Sequence, residues 1–165
     1  MVRERLSVLA LDVGDRRIGV AGCDGMGLLA TGLTTIHRRS FNADIETLRQ
    51  LVTERQAQRF VVGLPYNMDG TLGYQARKVK KFMKSIVKQI PLPVDFVDER
   101  LTSVQARWNL KAAGIKVGPS NKGLIDREAA AAILQTWLDR RQHDIERQQR
   151  IECHPPDRDL HHTED

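Results

Sequence analysis

Three acidic positions could carry chemistry in this chain: Asp12, the adjacent pair Asp98 and Glu99, and Asp126. Asp12 closes an apolar run, Val8-Leu9-Ala10-Leu11, and is followed by Val13-Gly14-Asp15-Arg16-Arg17-Ile18-Gly19-Val20. A continuous aliphatic run stopped by glycine reads as a strand buried on both faces, so its last side chain emerges beside the core. A carboxylate there is costly unless a charge or a metal pairs with it. The plainer alternative is a turn aspartate capping its own loop, ordinary chemistry before glycine. Asp98 and Glu99 end a second strand. Alternation puts Val94, Phe96 and Asp98 on one face and Asp95, Val97 and Glu99 on the other, and this pattern alone leaves the choice between Asp98 and Glu99 open. Asp126 begins a stripe with Ala129, Ala130, Ile133, Leu134 and Trp137 at helical spacing. It is expected in the first helical turn, where the helix dipole stabilises an anion and where capping alone would explain an aspartate. Carboxylates converging from two strands and a helix suit Mg²⁺, which prefers oxygen ligands and keeps waters. Two such ions about 4 Å apart could activate water on one side of a phosphodiester and stabilise the leaving oxygen on the other.

The elements that must position these acids follow from periodicity. Leu6 to Leu11, Arg16 to Cys23 and Thr31 to His37 read as a β-meander. Asn42 is placed to cap a helix from about Ala43 to Gln56, with Ile45, Leu48, Leu51 and Val52 at helical spacing. Phe60-Val61-Val62-Gly63 makes a short buried strand, and Leu64-Pro65-Tyr66-Asn67-Met68-Asp69-Gly70 must leave it as a loop. A helix from about Gly73 to Gln89 buries Ala76, Val79, Phe82, Met83, Ile86 and Val87, and its many lysines read as a solvated face before a phosphate track. Val94 to Val97 is a further strand. Thr102 or Ser103 starts a helix to about Ala113, and a flexible loop at 118–123 leaves Lys122 just before the last helix. Four consecutive alanines, 129–132, let that helix lie close to its support.

With 165 residues, 41% hydrophobic and 28% charged, the chain has room for one globular domain with a core. Residues 1–141 hold 23 Lys or Arg against 14 Asp or Glu, a net +9, whereas residues 142–165 hold 3 against 7, a net −4. The basic body suits a polyanionic partner such as nucleic acid. The expected division is therefore a folded domain over 1–141 and a polar, disordered tail over 142–165, where Cys153-His154 and His161-His162 flank Pro155-Pro156. Cys23 and Cys153 form no metal or redox motif, and neither a signal peptide nor a membrane span is visible, so a cytoplasmic protein is expected.

Four blocks in order resemble the YqgF or RuvX-type family, described as Holliday junction resolvases and as pre-16S ribosomal RNA nucleases. They are Leu9-Ala10-Leu11-Asp12-Val13-Gly14 with Arg17-Ile18-Gly19-Val20-Ala21, then Val62-Gly63-Leu64-Pro65 with Asn67-Met68-Asp69-Gly70, then Asp98-Glu99-Arg100-Leu101-Thr102-Ser103, then Asn121-Lys122-Gly123 with Asp126 and Ala129-Ala130. The resemblance implies an α/β, ribonuclease H-like fold: a mixed central sheet, antiparallel meander then parallel strands, with flanking helices. It carries over Asp12, Glu99 and Asp126 as catalytic, metal-binding acids for Mg²⁺ or Mn²⁺, with Asp98 as an accessory. Arg100 and Lys122 are then phosphate-facing, with a surface ion pair as the plainer alternative. The activity so implied is cleavage near the 5′ end of precursor 16S rRNA, in the setting of ribosomal particles. Three alternatives stand beside it: a DNA endonuclease acting on branched DNA, a noncatalytic RNA-binding assembly factor, and an actin-like ATP-binding domain, for whose second phosphate loop the chain has no room. Oligomeric state is left open.

Overall fold

The computed structural model describes residues 4–67, 69–99, 114 and 121–153. Five strands form one sheet: β1 (Val8–Val13), β2 (Arg17–Cys23), β3 (Ala30–His37), β4 (Arg59–Leu64) and β5 (Val94–Asp98), in the spatial order β3-β2-β1-β4-β5. β1, β2 and β3 pair antiparallel as the expected meander, and β4 joins β1, and β5 joins β4, in parallel. The helices are α1 (Phe41–Arg55), α2 (Tyr74–Gln89) and α3 (Lys122–Cys153). This is the mixed sheet with flanking helices that the sequence implies. The expected helix over 102–113 lies outside the described residues.

Strand alternation divides the interior into two layers. Leu9 and Leu11 of β1, Ile18 and Val20 of β2, and Phe60, Val62 and Leu64 of β4 pack with Ile45 and Leu48 of α1 and Val79, Met83 and Ile86 of α2. The other face, Val8, Ala10, Ala21, Cys23, Val61 and Val97, packs against Ala130, Ile133, Leu134 and Leu138 of α3. Each fully buried large aliphatic side chain contributes about 1.5–3 kcal/mol, so both seams are strongly specified. β1 is central and covered on both sides, which is why its apolar run is continuous.

Several boundaries differ from expectation, and β1 runs over Val8–Val13 instead of Leu6 to Leu11, which takes Asp12 into the strand. α1 begins at Phe41 and its cap is Ser40, whose Oγ accepts from the Ala43 amide at 3.2 Å, so Asn42 lies inside the first turn. A serine one turn upstream met the same geometric need. Lys122 is the first residue of α3 rather than a loop residue before it, and Asp126 is therefore the fifth helical residue, past the first turn. Finally, α3 runs through Cys153, so residues 142–153 are helical where a disordered tail was expected. Their arginines, glutamines and glutamates are good helix formers that extend a nucleated helix without burying anything, and Gln142 donates to Glu146 one turn on.

Candidate active site

Asp12 is a strand residue, paired with Gly19 of β2, and not the turn residue of the plainer reading. It follows Val8 and Ala10 in alternation, so its side chain rises on the α3 face of the sheet at the C-terminal end of β1. The same alternation sorts the two acids at the end of β5 by face. Val97 packs under α3, so Glu99, two residues on, continues toward α3 and Asp98 falls on the opposite parity. Asp12 and Glu99 share a side-chain hydrogen bond.

Two glycines make that approach possible. A Cβ on Gly19 would lie 1.9 Å from the Asp126 carbonyl oxygen and 2.4 Å from its carbon, so α3 rests directly on the β2 backbone. A Cβ on Gly63, which lies one step past the Leu11–Val62 pair on β4, would lie 2.5 Å from Ile133 Cδ1 and 3.4 Å from the Glu99 carboxyl carbon. Glycine thus flanks Asp12 on both neighbouring strands and leaves a hollow for carboxylates. The buried Ala129 and Ala130 serve the same close packing from the helix side. Thr35 of β3 adds a tether, its hydroxyl donating to the Gly123 carbonyl in the first turn of α3.

The electrostatics of the hollow are frustrated. Burial first, then the hydrogen bond to Glu99 and the like charges of Glu99 and Asp126, push the Asp12 carboxyl well above the usual carboxylate range. Asp126 is in electrostatic reach of Asp12, but its Oδ2 accepts from Arg17 Nε at 2.6 Å, with both side chains largely covered. Arg17 stands in the recognisable β2 block and nothing in its spacing marked it as the partner of an acid more than a hundred residues away. Lys122 is exposed at the start of α3, one helical turn before Asp126. Arg100 lies outside the described residues. The structure therefore joins Asp12 and Glu99 directly, places Asp126 beside them under Arg17, and keeps Lys122 on the rim.

Among the described residues, no group of three His, Cys, Asp or Glu side chains is set to hold a metal ion. The Asp12–Glu99 pair nevertheless fits the chemistry of a hard divalent cation. Mg²⁺ is commonly held by one or two carboxylates with waters and substrate phosphate completing its shell. Two carboxyls brought this close are a pair whose repulsion a bound cation would relieve.

The comparisons with known proteins decide the family. The model of the RuvX family, described as Holliday junction resolvase, matches residues 6–140. This chain belongs to the RuvX family. The relatives include a protein of Crocosphaera subtropica, 59% identical over 84% of this chain and 96% of its own length, and one of Rippkaea orientalis, 59% identical over 84% and 99%. Both carry the name "Putative pre-16S rRNA nuclease". Among solved structures, the RuvC of T. thermophilus in complex with a Holliday junction substrate superposes with a TM-score of 0.53 at 15% identity, over 83% of this chain and 96% of that one. The Fowlpox virus resolvase in complex with Holliday junction DNA gives 0.51 at 10% identity, over 81% and 97%. These two likenesses carry the fold, ribonuclease H-like, and the RuvX members carry the family. The match ends at residue 140, so the stretch 141–153 of α3 is outside it.

Proposed function

We propose that this RuvX-family chain is a divalent-metal-dependent nuclease that hydrolyses phosphodiester bonds of precursor 16S rRNA near its 5′ end. The observation that carries the reading is the hydrogen-bonded Asp12–Glu99 pair, beside Asp126, at the C-terminal edge of the sheet. Rigid strand ends hold these groups with little freedom, as a reacting phosphate requires. Asp12 and Glu99 are the residues that would hold Mg²⁺ or Mn²⁺, and the ion when bound supplies Lewis acidity toward a phosphoryl oxygen and an acidified water. Asp126 is the third catalytic acid, its carboxylate turned and restrained by Arg17. Lys122, exposed one turn away, meets the substrate phosphate as a point charge, and Arg100 follows Glu99 as a second phosphate-facing group. Glu99, and not Asp98, is the metal-binding member of its pair because it shares the α3 face with Asp12. The basic charge of residues 1–141 draws the polyanion in.

The substrate is taken from the name that the relatives carry, and a precursor rRNA substrate goes with a role in ribosome biogenesis and a cytoplasmic setting for this chain. No helix among the described residues is long and apolar enough to cross a membrane. A second reading, cleavage of branched DNA, is favoured by the family description. Purified protein incubated with precursor rRNA, linear RNA and a four-way DNA junction, with and without Mg²⁺ or Mn²⁺, tests both. Metal-dependent cleavage of the precursor that is lost in Asp126→Ala is expected. Cleavage indifferent to chelator and to Asp126→Ala sinks the proposal, and a preference for the junction selects the second reading. RNA binding without cleavage would leave an assembly factor, and ATP hydrolysis alone would restore the actin-like alternative.

A further inference from the structure

A groove of about 390 Å³ opens at the same end of β1 as the acids, but on the α1 and α2 side of the sheet. Its wall includes Val13 and Gly14, the two residues that follow Asp12, so groove and acids are separated only by the edge of the β1–β2 turn. Three aromatic rings line it, Phe41, Tyr74 and Phe82, from a chain with only 4 Phe, 2 Tyr and 2 Trp. Phe82 also packs against the core, but core packing does not account for the other two, because Tyr74 is 69% exposed and Phe41 40%. Each of two rings carries a cation: the Arg38 guanidinium lies 4.6 Å from the Phe82 centroid, and Lys78 Nζ lies 5.2 Å from that of Tyr74. Phe41 meets Phe82 edge to face at 6.3 Å. Lys81 lines the same groove. Arg38 is fixed in place, donating from Nη1 to the Gly14 carbonyl at 2.8 Å with Asp44 at 3.6 Å from its Nε. The one acid in the lining, Asp15, is 2.7 Å from Lys78 and holds it over the ring side of the groove.

Exposed rings interleaved with fixed cations match one chemistry: a base needs a flat apolar face and the phosphates beside it need positive charge. A lysine-covered helix alone would attract any polyanion and would need no rings. A paired base shows its faces to its neighbours in the stack and cannot reach Tyr74, so a duplex arm of a DNA junction would leave the rings unused. We propose that this groove binds an unpaired stretch of the RNA flanking the scissile phosphate, with a base stacked on Tyr74 and backbone phosphates on Arg38, Lys78 and Lys81. The strand reaches it from the acids by crossing the β1–β2 turn, where Arg16 is exposed. The inference rests on reading Asp12 and Glu99 as the cleavage site.

Binding and cleavage are measured separately so that the two ideas fail separately. Fluorescence anisotropy in EDTA, with a short labelled single-stranded RNA, the same sequence as DNA, and an RNA duplex, reads the groove without turnover. Tyr74→Ala weakens binding of the single-stranded RNA by about 5- to 150-fold, the loss of roughly 1–3 kcal/mol of one base–aromatic stack. Tyr74→Phe restores it, duplex affinity is unchanged, and Lys78→Gln lowers the salt dependence by about one phosphate contact. Unchanged affinity in Tyr74→Ala, or equal losses for single strand and duplex, overturns the groove, and equal reliance of the DNA strand on Tyr74 overturns its assignment to RNA. Tyr74-dependent binding by a protein that cleaves nothing with either ion supports the groove and removes the nuclease reading. Normal cleavage by Tyr74→Ala with unchanged KM removes the groove and keeps the nuclease.

Discussion

The seam between α3 and the sheet has two ends that treat an acid in opposite ways. Toward the start of the parallel strands, Asp95 of β5 accepts from Arg59 Nη1 at 2.9 Å on one oxygen and from Trp137 Nε1 at 2.9 Å on the other. Four residues on, just past the end of β5 and roughly 13 Å away, Glu99 faces Asp12 with Asp126 near, and Arg17 is bonded to Asp126. The first end locks helix to sheet. At the second end the Arg17–Asp126 ion pair and the Thr35–Gly123 hydrogen bond hold α3 to β2 and β3 against the mutual repulsion of the acids. The two ends thus differ in electrostatics: Asp95 is satisfied on both oxygens, whereas burial and the like charges of Glu99 and Asp126 raise the Asp12 carboxyl.

The contrast is broken most severely at Asp12. Asp12→Asn should lower metal-dependent cleavage by about two to four orders of magnitude, as loss of a metal-binding carboxylate does. In chelator at neutral pH the same variant should melt at a higher temperature than the wild type. Because the folded-state pKa of Asp12 is raised, folding takes up a proton there. That contribution is complete below the ordinary carboxylate range and is lost as pH rises through the raised pKa. Melting curves of the chelated wild type should therefore fall over that interval, Asp12→Asn should lack this component, and saturating Mg²⁺ should remove it. A wild type and variant with parallel pH profiles would show that the acid end is not frustrated.

The next largest effect is expected from Gly19→Ala. A methyl group 1.9 Å from the Asp126 carbonyl has backbone and no flexible side chain to displace, so α3 must lift. About 3 kcal/mol of stability should be lost in denaturant titration, with a further loss of cleavage at temperatures where the variant is folded. Gly123→Ala meets only Thr35 at ordinary contact distance and serves as the control. Asp95→Ala should sharpen the comparison from the other side. It leaves the half-buried Trp137 Nε1 and Arg59 without their carboxylate and should cost about 1–3 kcal/mol, while kcat of the folded fraction stays within about twofold. The smallest effect concerns Arg17. Arg17→Gln releases Asp126 toward the other acids, so the chelated protein should lose about 1 kcal/mol and divalent ion binding by calorimetry should tighten by about tenfold. Weaker ion binding in Arg17→Gln would mean that the pair orients Asp126 instead of competing for it.

Asp12, the Asp98-Glu99 pair and Asp126 stood out in the sequence as candidate acids, and the meander and the two parallel strands were legible, because buried runs and helical stripes write their own period. The choice of Glu99 over Asp98 needed the face on which Val97 packs, a tertiary fact that alternation alone leaves unsigned. Arg17 escaped because an ion pair across the whole chain has no local pattern. Gly19 and Gly63 stood inside recognisable blocks, but a glycine required for approach looks the same in sequence as one required for a turn. The helical stretch 142–153 was misread because polarity was taken as disorder, whereas a helix already anchored by Ile133, Leu134 and Leu138 can continue in polar residues at little cost.

The two glycines set a condition on anyone who would transplant this chemistry. Copying Asp12, Glu99 and Asp126 onto the strand ends and helix of another sheet would reproduce the reagents without the room for them. With any side chain at the position of Gly19, the helix stands off by the thickness of a methyl group and its acid no longer reaches its partners. A graft succeeds only if the recipient surrenders two side chains beside the central acid, so the specification of the site is written as much in missing atoms as in carboxylates.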